Sequence, residues 1–352
     1  MIKHVLVTGA SGFIGRVLCD ALAAAGHTVR VASRGLGEPA QDEANRNVAS
    51  SPSAVQSRVA VGTIGPDTDW SSALEGVDAV VHLAGQTHVP PNASAEVLAE
   101  LRSVNVAGTE RLARMAATAG VKRLVFVSSI KVSGEQSVGA PFAETDQPNP
   151  HDAYAVSKWE AENLLRQIAA DTGLEVVIVR PPLVYGPGVG GNFVRLMEAV
   201  ARGIPLPLGC VRNARSLVYV GNLANALVVC LAHEAAAGQT FLVSDGTDLS
   251  TPELVRKLAH AMNRPARLLP IPAFLIRLAA AMAGRPDAAR RLLGSLAVSS
   301  GKIREKLGWV PPYTLAQGLE ETAAWFKASG AGVGGSLQTV PADSRHSPGT
   351  PE

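Results

Sequence analysis

This 352-residue chain has few cysteines and a small net charge. It carries 32 Lys and Arg against 30 Asp and Glu, for a formal net charge of +2. Its three cysteines, Cys19, Cys210 and Cys230, form no C-x-x-C pair and have no histidine partners at metal-ligand spacing. We therefore expect no metal site and a reducing compartment, the cytoplasm. The small net charge excludes a broad electrostatic field for wrapping nucleic acid.

Long uninterrupted apolar runs are also missing. Glycines and polar residues interrupt residues 1–25, so no secretory signal peptide is expected. Residues 268–282 are the most apolar stretch, but Pro270, Pro272 and Arg277 break it below the roughly 20 residues that a membrane span needs. No integral membrane segment is predicted. A buried or surface-lying helix is the simpler interpretation of 268–282, and a peripheral membrane contact stays open.

Short apolar runs alternate with helical patterns in the first half of the chain. The runs are His4 to Val7, Val29 to Ala32, Arg58 to Val61, Ala79 to Leu83, Leu124 to Val127 and Val176 to Val179. They are rich in Val and Leu, as strands buried on both faces require. The pattern predicts an α/β fold of Rossmann type, a doubly wound parallel sheet with a smaller C-terminal substrate lobe.

Helices and lobe boundaries follow from the same patterns. The first helix is expected to end at Gly26, and two longer helices are expected over 96–119 and 153–170, the second capped by Asp152. Prolines and glycines after Arg180 indicate a change of architecture, with a return to the sheet near Phe241 to Val243. We assign 1–181 with about 217–248 to a dinucleotide-binding domain, 182–216 and 249–329 to the substrate lobe, and 330–352 to a disordered tail.

A glycine-rich turn directly follows the first strand. Gly9, Gly12 and Gly15 recur every third residue and open the first helix, with Ser11, Phe13 and Ile14 between and beside them. Gly9 permits a tight turn, Gly12 lets a pyrophosphate approach the backbone, and Gly15 lets helix and strand pack closely. Because strand, turn and helix occur in order, the segment predicts a dinucleotide site.

The second strand ends in Ser33 and Arg34, where a carboxylate would select NAD. A hydroxyl followed by a guanidinium suits the 2′-phosphate of NADP. NADP is therefore the first choice of cofactor, with NAD as the alternative if Arg34 is an ordinary solvated side chain.

Tyr154 and Lys158 are four residues apart and share one face of a helix. An ammonium and an oxidised nicotinamide both lower the pKa of a phenol, so Tyr154 is predicted to exchange protons near neutrality. Ser128 and Ser129 follow the fifth strand, at the edge of the sheet where ligands bind, and Ser129 could orient the reacting oxygen.

Together these motifs resemble the extended short-chain dehydrogenase/reductase family over residues 1 to about 327. The resemblance also includes His82-Leu83-Ala84-Gly85, Asn105-Val-Ala-Gly108-Thr109 and Arg180-Pro181. It implies a catalytic trio of Ser129, Tyr154 and Lys158. It also implies that Leu83, Ala84, Gly85, Asn105, Ser128 and Pro181 line the cofactor site, and that the protein is a homodimer through the helices 96–119 and 153–170.

The same resemblance implies a nucleotide-sugar substrate such as a UDP-sugar, with Asn192 and Arg215 at its diphosphate. Asn192 could instead cap the following helix, and Arg215 could pair with a surface carboxylate. Lys131 either contacts substrate or is a solvated loop lysine.

Three reaction classes compete within this resemblance. Dehydratases have an Asp-Glu pair where this chain has Ile130 and Lys131, so loss of water is disfavoured. A 4-epimerase regenerates its own cofactor, whereas a 4-keto reductase consumes NADPH. Ser33-Arg34 favours the reductase. The stretch 128–134 also resembles enzymes that reduce a UDP-4-keto-6-deoxy-N-acetylhexosamine, which implies a role in surface polysaccharide synthesis. A non-catalytic dinucleotide sensor is the alternative from another class.

Overall fold

A computed structural model describes residues 2–35, 54–87, 89–90, 93–284 and 286–330, so the predicted disordered tail lies outside the described residues apart from Gly330. The strands are β1 (His4–Thr8), β2 (Thr28–Ser33), β3 (Ser57–Ala60), β4 (Ala79–His82), β5 (Arg123–Val127), β6 (Glu175–Arg180), β7 (Leu183–Tyr185), β8 (Leu217–Tyr219) and β9 (Thr240–Leu242).

Helices fill most of the connections. They are α1 (Phe13–Ala24), α2 (Ser71–Leu74), α3 (Ala95–Arg102), α4 (Gly108–Thr118), α5 (Ala153–Thr172), α6 (Gly191–Ala201), α7 (Val220–Ala232), α8 (Thr251–Ala261), α9 (Ala273–Met282), α10 (Pro286–Leu293), α11 (Gly301–Leu307) and α12 (Leu315–Ala328). No helix within the described ranges is both long enough and apolar enough to cross a membrane.

Seven of the strands form one parallel sheet in the order β3-β2-β1-β4-β5-β6-β9. Helices cover both faces, with α1, α7 and α11 on one and α2, α4 and α5 on the other. The sheet buries Val and Leu on both sides, which is why β1, β4 and β5 are nearly continuous apolar runs. The doubly wound architecture expected from the sequence is confirmed.

A second hydrophobic cluster forms around the short parallel pair β7–β8 and the helices α6, α8 and α12. Phe13 and Ile14 of α1 pack against this cluster, so it is continuous with the glycine-turn helix. By contrast, α11 lies in the stretch assigned to the smaller lobe but packs on the main sheet through Ile303 and Leu307. The lobe boundaries themselves stay a prediction.

Most local expectations are met, with small differences. Gly26 follows α1 with φ +85°, and the Asp152 carboxylate accepts from the Ala155 N–H at the start of α5. One expectation is wrong. The strand β3 is mostly exposed because it forms the edge of the sheet. The helix expected over 96–119 is present as α3 and α4, which a π-helical turn at Ser103–Ala107 joins without a break.

Candidate active site

The predicted site residues collect at one edge of the main sheet. The sheet order reverses at β1, whose neighbours β2 and β4 lie on opposite sides, so the chain leaves the carboxyl ends of β1 and β4 in opposite directions. Such a switch point opens a crevice between the two connections. The glycine turn follows β1, the loop 83–87 follows β4, and Ser128 and Ser129 follow β5.

The glycine turn has a backbone that other residues could not adopt. Gly9 has φ +71°, and a Cβ there would lie 2.8 Å from the Ala84 nitrogen. A Cβ on Gly15 would lie 2.2 Å from the Gly9 carbonyl oxygen, which in turn accepts from the Gly12 N–H at 3.0 Å. The turn and α1 are therefore packed backbone to backbone.

The start of α1 is suited to an anion. Its N-cap is Gly12, no side chain caps the helix, and its first turn carries no acidic residue. The helix therefore presents N–H groups and the positive end of its dipole to the crevice. The side chains of Phe13 and Ile14 pack into the second hydrophobic cluster, so their backbone N–H groups remain at the start of the helix. Ser11 is exposed beside them. These residues fit a dinucleotide pyrophosphate.

At the end of β2, Ser33 and Arg34 differ in their surroundings. The Ser33 hydroxyl donates to the Gly35 carbonyl at 2.8 Å, while Arg34 is exposed. The hydroxyl is thus engaged within its own turn.

Asn105 fastens the loop after β4 to the helix that carries Tyr154. Its side-chain oxygen accepts from the Gln86 N–H at 2.7 Å, and its amide donates to the Gln86 carbonyl at 2.9 Å and to Ser157 Oγ at 3.0 Å. Asn105 occupies the π-helical turn, which turns its buried side chain toward this loop. A Cβ on Gly85 would approach Asn105 Oδ1 to 3.1 Å and Lys158 Nζ to 3.4 Å, so a larger residue there would crowd Asn105. Leu83 packs on the core of the sheet.

A chain of hydrogen bonds through His82 connects the glycine turn to this loop. Thr109 donates to the Asn105 carbonyl at 2.8 Å, so its oxygen accepts from His82 Nε2 at 3.0 Å. His82 Nδ1 then accepts from Thr8 at 2.6 Å, and the Thr8 oxygen accepts from the Ala84 N–H at 3.2 Å. Complete burial and the nearby Lys158 lower the pKa of His82 to about 3, so the imidazole is neutral.

Tyr154 lies beside Ser129 and an ion pair. Burial raises the pKa of Tyr154 to about 12, and the Asp152 carboxylate adds to the increase, while a hydrogen bond with Ser129 opposes it. Lys131 binds Asp152 with 2.6 Å between Nζ and Oδ2, and its Nζ lies 6.0 Å from the centre of the Tyr154 ring. The protein groups alone thus hold the pKa of Tyr154 above its usual value, and the acidified phenol expected beside an oxidised nicotinamide stays a prediction. Lys131 is neither a free surface lysine nor remote from Tyr154.

Lys158 is buried and donates to the Val127 carbonyl at 3.0 Å, with its ammonium 4.5 Å from the centre of the Phe126 ring. Burial lowers its pKa to about 8, and Glu162, one turn further along α5, opposes this effect. Ser129, Tyr154 and Lys158 are thus brought together at the ends of β5 and α5.

Ser128 differs from its neighbour because its hydroxyl points into a buried ionic network. It donates to Glu162 at 2.6 Å, and Arg180 binds both carboxylate oxygens of Glu162 at 2.8 and 2.6 Å. Glu162 and Arg180 are almost completely buried. The network joins β5, α5 and β6 beneath Lys158. Pro181, next in the chain, accepts from the Ile130 N–H at 3.0 Å.

The two residues expected at a substrate diphosphate lie on different elements. Asn192 is exposed in the first turn of α6, and Gly190 rather than Asn192 is the N-cap, so the capping alternative is wrong. The Arg215 guanidinium donates to the carbonyls of Arg291 and Gly294 at 2.7 and 3.2 Å. Its partners are therefore one carbonyl in the last turn of α10 and one directly after the helix, not a carboxylate, and burial lowers the pKa of Arg215.

Several residues of the site carried no role in the sequence interpretation: Thr8, Thr109, Ser157 and Glu162. The available signal was a polar residue inside an apolar run, as at Thr8 and His82. Glu162 gave a weaker signal, since it follows Tyr154 and Lys158 on the same helical face.

Comparison with known proteins places the chain in a family. Residues 5–244 match the NAD dependent epimerase/dehydratase family. UDP-glucose 4-epimerase of Vibrio cholerae is 42% identical over 328 residues, which cover 93% of this chain and 96% of that protein. The chain therefore belongs to the NAD dependent epimerase/dehydratase family, and it is an enzyme of the extended short-chain dehydrogenase/reductase type.

More distant relatives agree with the fold. N-acetyl-alpha-D-glucosaminyl-diphospho-ditrans,octacis-undecaprenol 4-epimerase of Escherichia coli O157:H7 is 28% identical over 342 residues, covering 92% of this chain and 95% of that protein. The solved structure of MoeE5 in complex with UDP-glucose and NAD superposes with a TM-score of 0.72 at 26% identity, covering 93% of this chain and 99% of MoeE5. The preference for NADP finds no support here, since the family description and that complex both name NAD.

Proposed function

We propose that this enzyme is a UDP-sugar 4-epimerase that uses NAD and interconverts two sugars differing only at C4. The observation that carries the proposal is the 42% identity to UDP-glucose 4-epimerase of Vibrio cholerae over nearly the full length of both proteins. The crevice supports it, because the hydroxyl, phenol and ammonium needed for proton movement at a sugar alcohol lie together beside a dinucleotide-type glycine turn.

When bound, NAD would supply the hydride chemistry that oxidation and re-reduction at C4 require. The glycine turn and the start of α1 would hold its pyrophosphate, and Lys158 would hold the nicotinamide ribose. Asn105 and Gly85 shape the wall of the crevice next to Lys158. Ser33 and Arg34 would lie near the adenosine ribose.

In this mechanism Tyr154 takes the proton from the C4 hydroxyl and later returns it, while Ser129 holds the same oxygen in place. Burial alone makes Tyr154 a weak acid, with a pKa of about 12. Cations close to the phenol are therefore needed to generate the phenolate. Lys131 Nζ lies 6.0 Å from the centre of the Tyr154 ring, and Lys158 follows one turn further along the same helix. Asn192 and Arg215 would bind the UDP diphosphate.

Reduction of a UDP-4-keto sugar by NADPH is the second candidate. Exposed Arg34 at the end of β2 is the observation that favours it, because the guanidinium is available to a 2′-phosphate. In both reactions Tyr154 exchanges the proton at the C4 oxygen.

Two assays distinguish the candidates. Purified enzyme is incubated with UDP-galactose and the products are separated by chromatography, while NADPH absorbance is followed with a UDP-4-keto-6-deoxy-N-acetylhexosamine. Formation of UDP-glucose without added cofactor, with NAD released on denaturation, is expected. Stoichiometric NADPH oxidation with no epimerisation would instead establish the reductase, and turnover in neither assay would favour a dinucleotide sensor.

We also infer a homodimer through α3, α4 and α5, the helices that correspond to 96–119 and 153–170. Light scattering of the purified protein should give twice the mass of the 36.4 kDa chain. A monomer would remove this inference and leave the reaction unaffected.

A further inference from the structure

One side of α9 is apolar and faces solvent. Phe274, Leu278 and Met282 are 63%, 55% and 77% exposed, and their spacing of four residues places them in one stripe. The opposite side of the helix packs inward through Ala273, Ile276 and Ala280. Exposed leucines on and around the helix extend the stripe. We call the set Leu269, Phe274, Leu275, Leu278, Met282 and Leu292 the α9 face.

The chain segment that contains the α9 face is rich in arginine, and one of these arginines, Arg291, lies 3.9 Å from the Glu135 carboxylate. Residues 262–300 contain six arginines and a single acidic residue, Asp287, with no lysine and no glutamate. This local net charge of +5 contrasts with the near balance of the whole chain. Arg277 lies on the same helix at the edge of the stripe, next to Phe274, and is exposed. An apolar helix face with arginines is the pattern of helices that lie in a lipid interface.

We propose that the α9 face docks this enzyme on an anionic lipid bilayer, with the apolar side chains at the level of the acyl boundary and the arginines on lipid phosphates. A second copy of the chain fits less well. In a two-fold dimer the same surface contributes from both subunits, so the arginine-rich segment would face itself and repel. A bilayer offers uniform negative charge to such a segment.

The α9 face is connected through α10 to Arg215, one of the two residues proposed to bind the substrate diphosphate. The α9 helix packs against α10, whose Arg291 carbonyl accepts from Arg215. The proposal does not depend on which sugar is turned over.

Vesicle flotation tests the proposal on the full-length enzyme. Vesicles of phosphatidylcholine are compared with vesicles that contain about 30 mol% phosphatidylglycerol. Binding is expected only to the anionic vesicles and is expected to weaken with added salt. The double variant Phe274→Ser/Leu278→Ser should bind about tenfold less or weaker still, because two apolar side chains no longer enter the interface. Arg277→Gln should weaken binding and its salt dependence.

Val310→Ser is the matched control, since Val310 is 70% exposed outside the α9 face. It should bind as the parent does. Unchanged circular dichroism and turnover of a soluble UDP-sugar would show that the variants are folded. Failure of the parent to bind anionic vesicles overturns the proposal, as does equal binding by the double variant. A change of oligomeric state in the double variant, without vesicle binding by the parent, would assign the face to a second copy instead.

Discussion

The ion pair between Lys131 and Asp152 should set the pH at which Tyr154 works. Substitution Lys131→Met removes a positive charge 6.0 Å from the centre of the Tyr154 ring. Because the lysine side chain is 41% exposed, an effective dielectric constant of roughly 40 to 80 applies, and Coulomb's law then gives about 0.7 to 1.4 kcal/mol. This energy corresponds to an increase of about 0.5 to 1 unit in the pKa of Tyr154.

The opposite substitution is Asp152→Asn. It removes the carboxylate that raises the pKa of Tyr154, while asparagine keeps the cap on α5. Since the phenolate is the proton acceptor, a raised pKa moves the rise of kcat/KM to higher pH and a lowered pKa moves it to lower pH. Lys131→Met should therefore shift the acid limb upward, and Asp152→Asn should shift it downward.

The assay is kcat/KM for UDP-galactose from about pH 5 to pH 10, fitted for the acid limb. Two other charged side chains stay in place in these variants. Lys158 lies on the same helix as Tyr154, and Arg291 of α10 lies near the ion pair. Glu160→Gln is the matched control. It removes one carboxylate from the same helix, where Glu160 pairs with Arg102, and should leave the limb unchanged. The reasoning fails if Lys131→Met and Asp152→Asn shift the limb in the same direction, or no further than Glu160→Gln.

Three further predictions concern other parts of the site. Tyr154→Phe should lower kcat by about 10²- to 10⁴-fold because the proton acceptor is lost, while calorimetric NAD affinity stays within a few-fold of the parent; a fully active variant contradicts the assignment. Glu162→Gln leaves the buried Arg180 without its ionic partner and should reduce the free energy of unfolding by about 3 to 5 kcal/mol in urea titrations. Arg166→Gln, at the exposed side of the network, should reduce the same free energy by about 1 kcal/mol or less. The pKa of His82 is lowered to about 3 in the folded chain, so below about pH 6.5 the unfolded chain binds more protons and the free energy of unfolding decreases as pH falls. Between pH 7 and pH 5 this decrease is about 2 kcal/mol. It should disappear in His82→Asn and persist in the control His151→Gln.

The sequence anticipated those parts of the fold that depend on local patterns. The strands β1, β4, β5 and β6 appear within one or two residues of the apolar runs, because a doubly buried strand must be apolar along its length. The pattern overestimated the burial of β3, which has a similar apolar content but lies at the edge of the sheet. The composition of a four-residue run does not determine whether the strand lies at the centre or at the edge of the sheet.

The candidate site divides in the same way. The glycine spacing and the four-residue interval between Tyr154 and Lys158 are local, so both could be found in advance. The partners of Lys131, Ser128 and Arg215 are distant in sequence, at Asp152, Glu162 and the end of α10. Charge and hydrogen-bonding capacity were evident for each of these residues, but the choice of partner was not.

By itself, the sequence determined a doubly wound α/β enzyme with a dinucleotide-type turn, because strand burial, backbone freedom at Gly9 and Gly15, and helical spacing are properties of neighbouring residues. Only the tertiary structure decided how strongly Tyr154 holds its proton, that His82 is neutral, and that α9 presents its apolar side to solvent. These three features depend on which groups are excluded from water together, and that exclusion exists only once distant segments have packed.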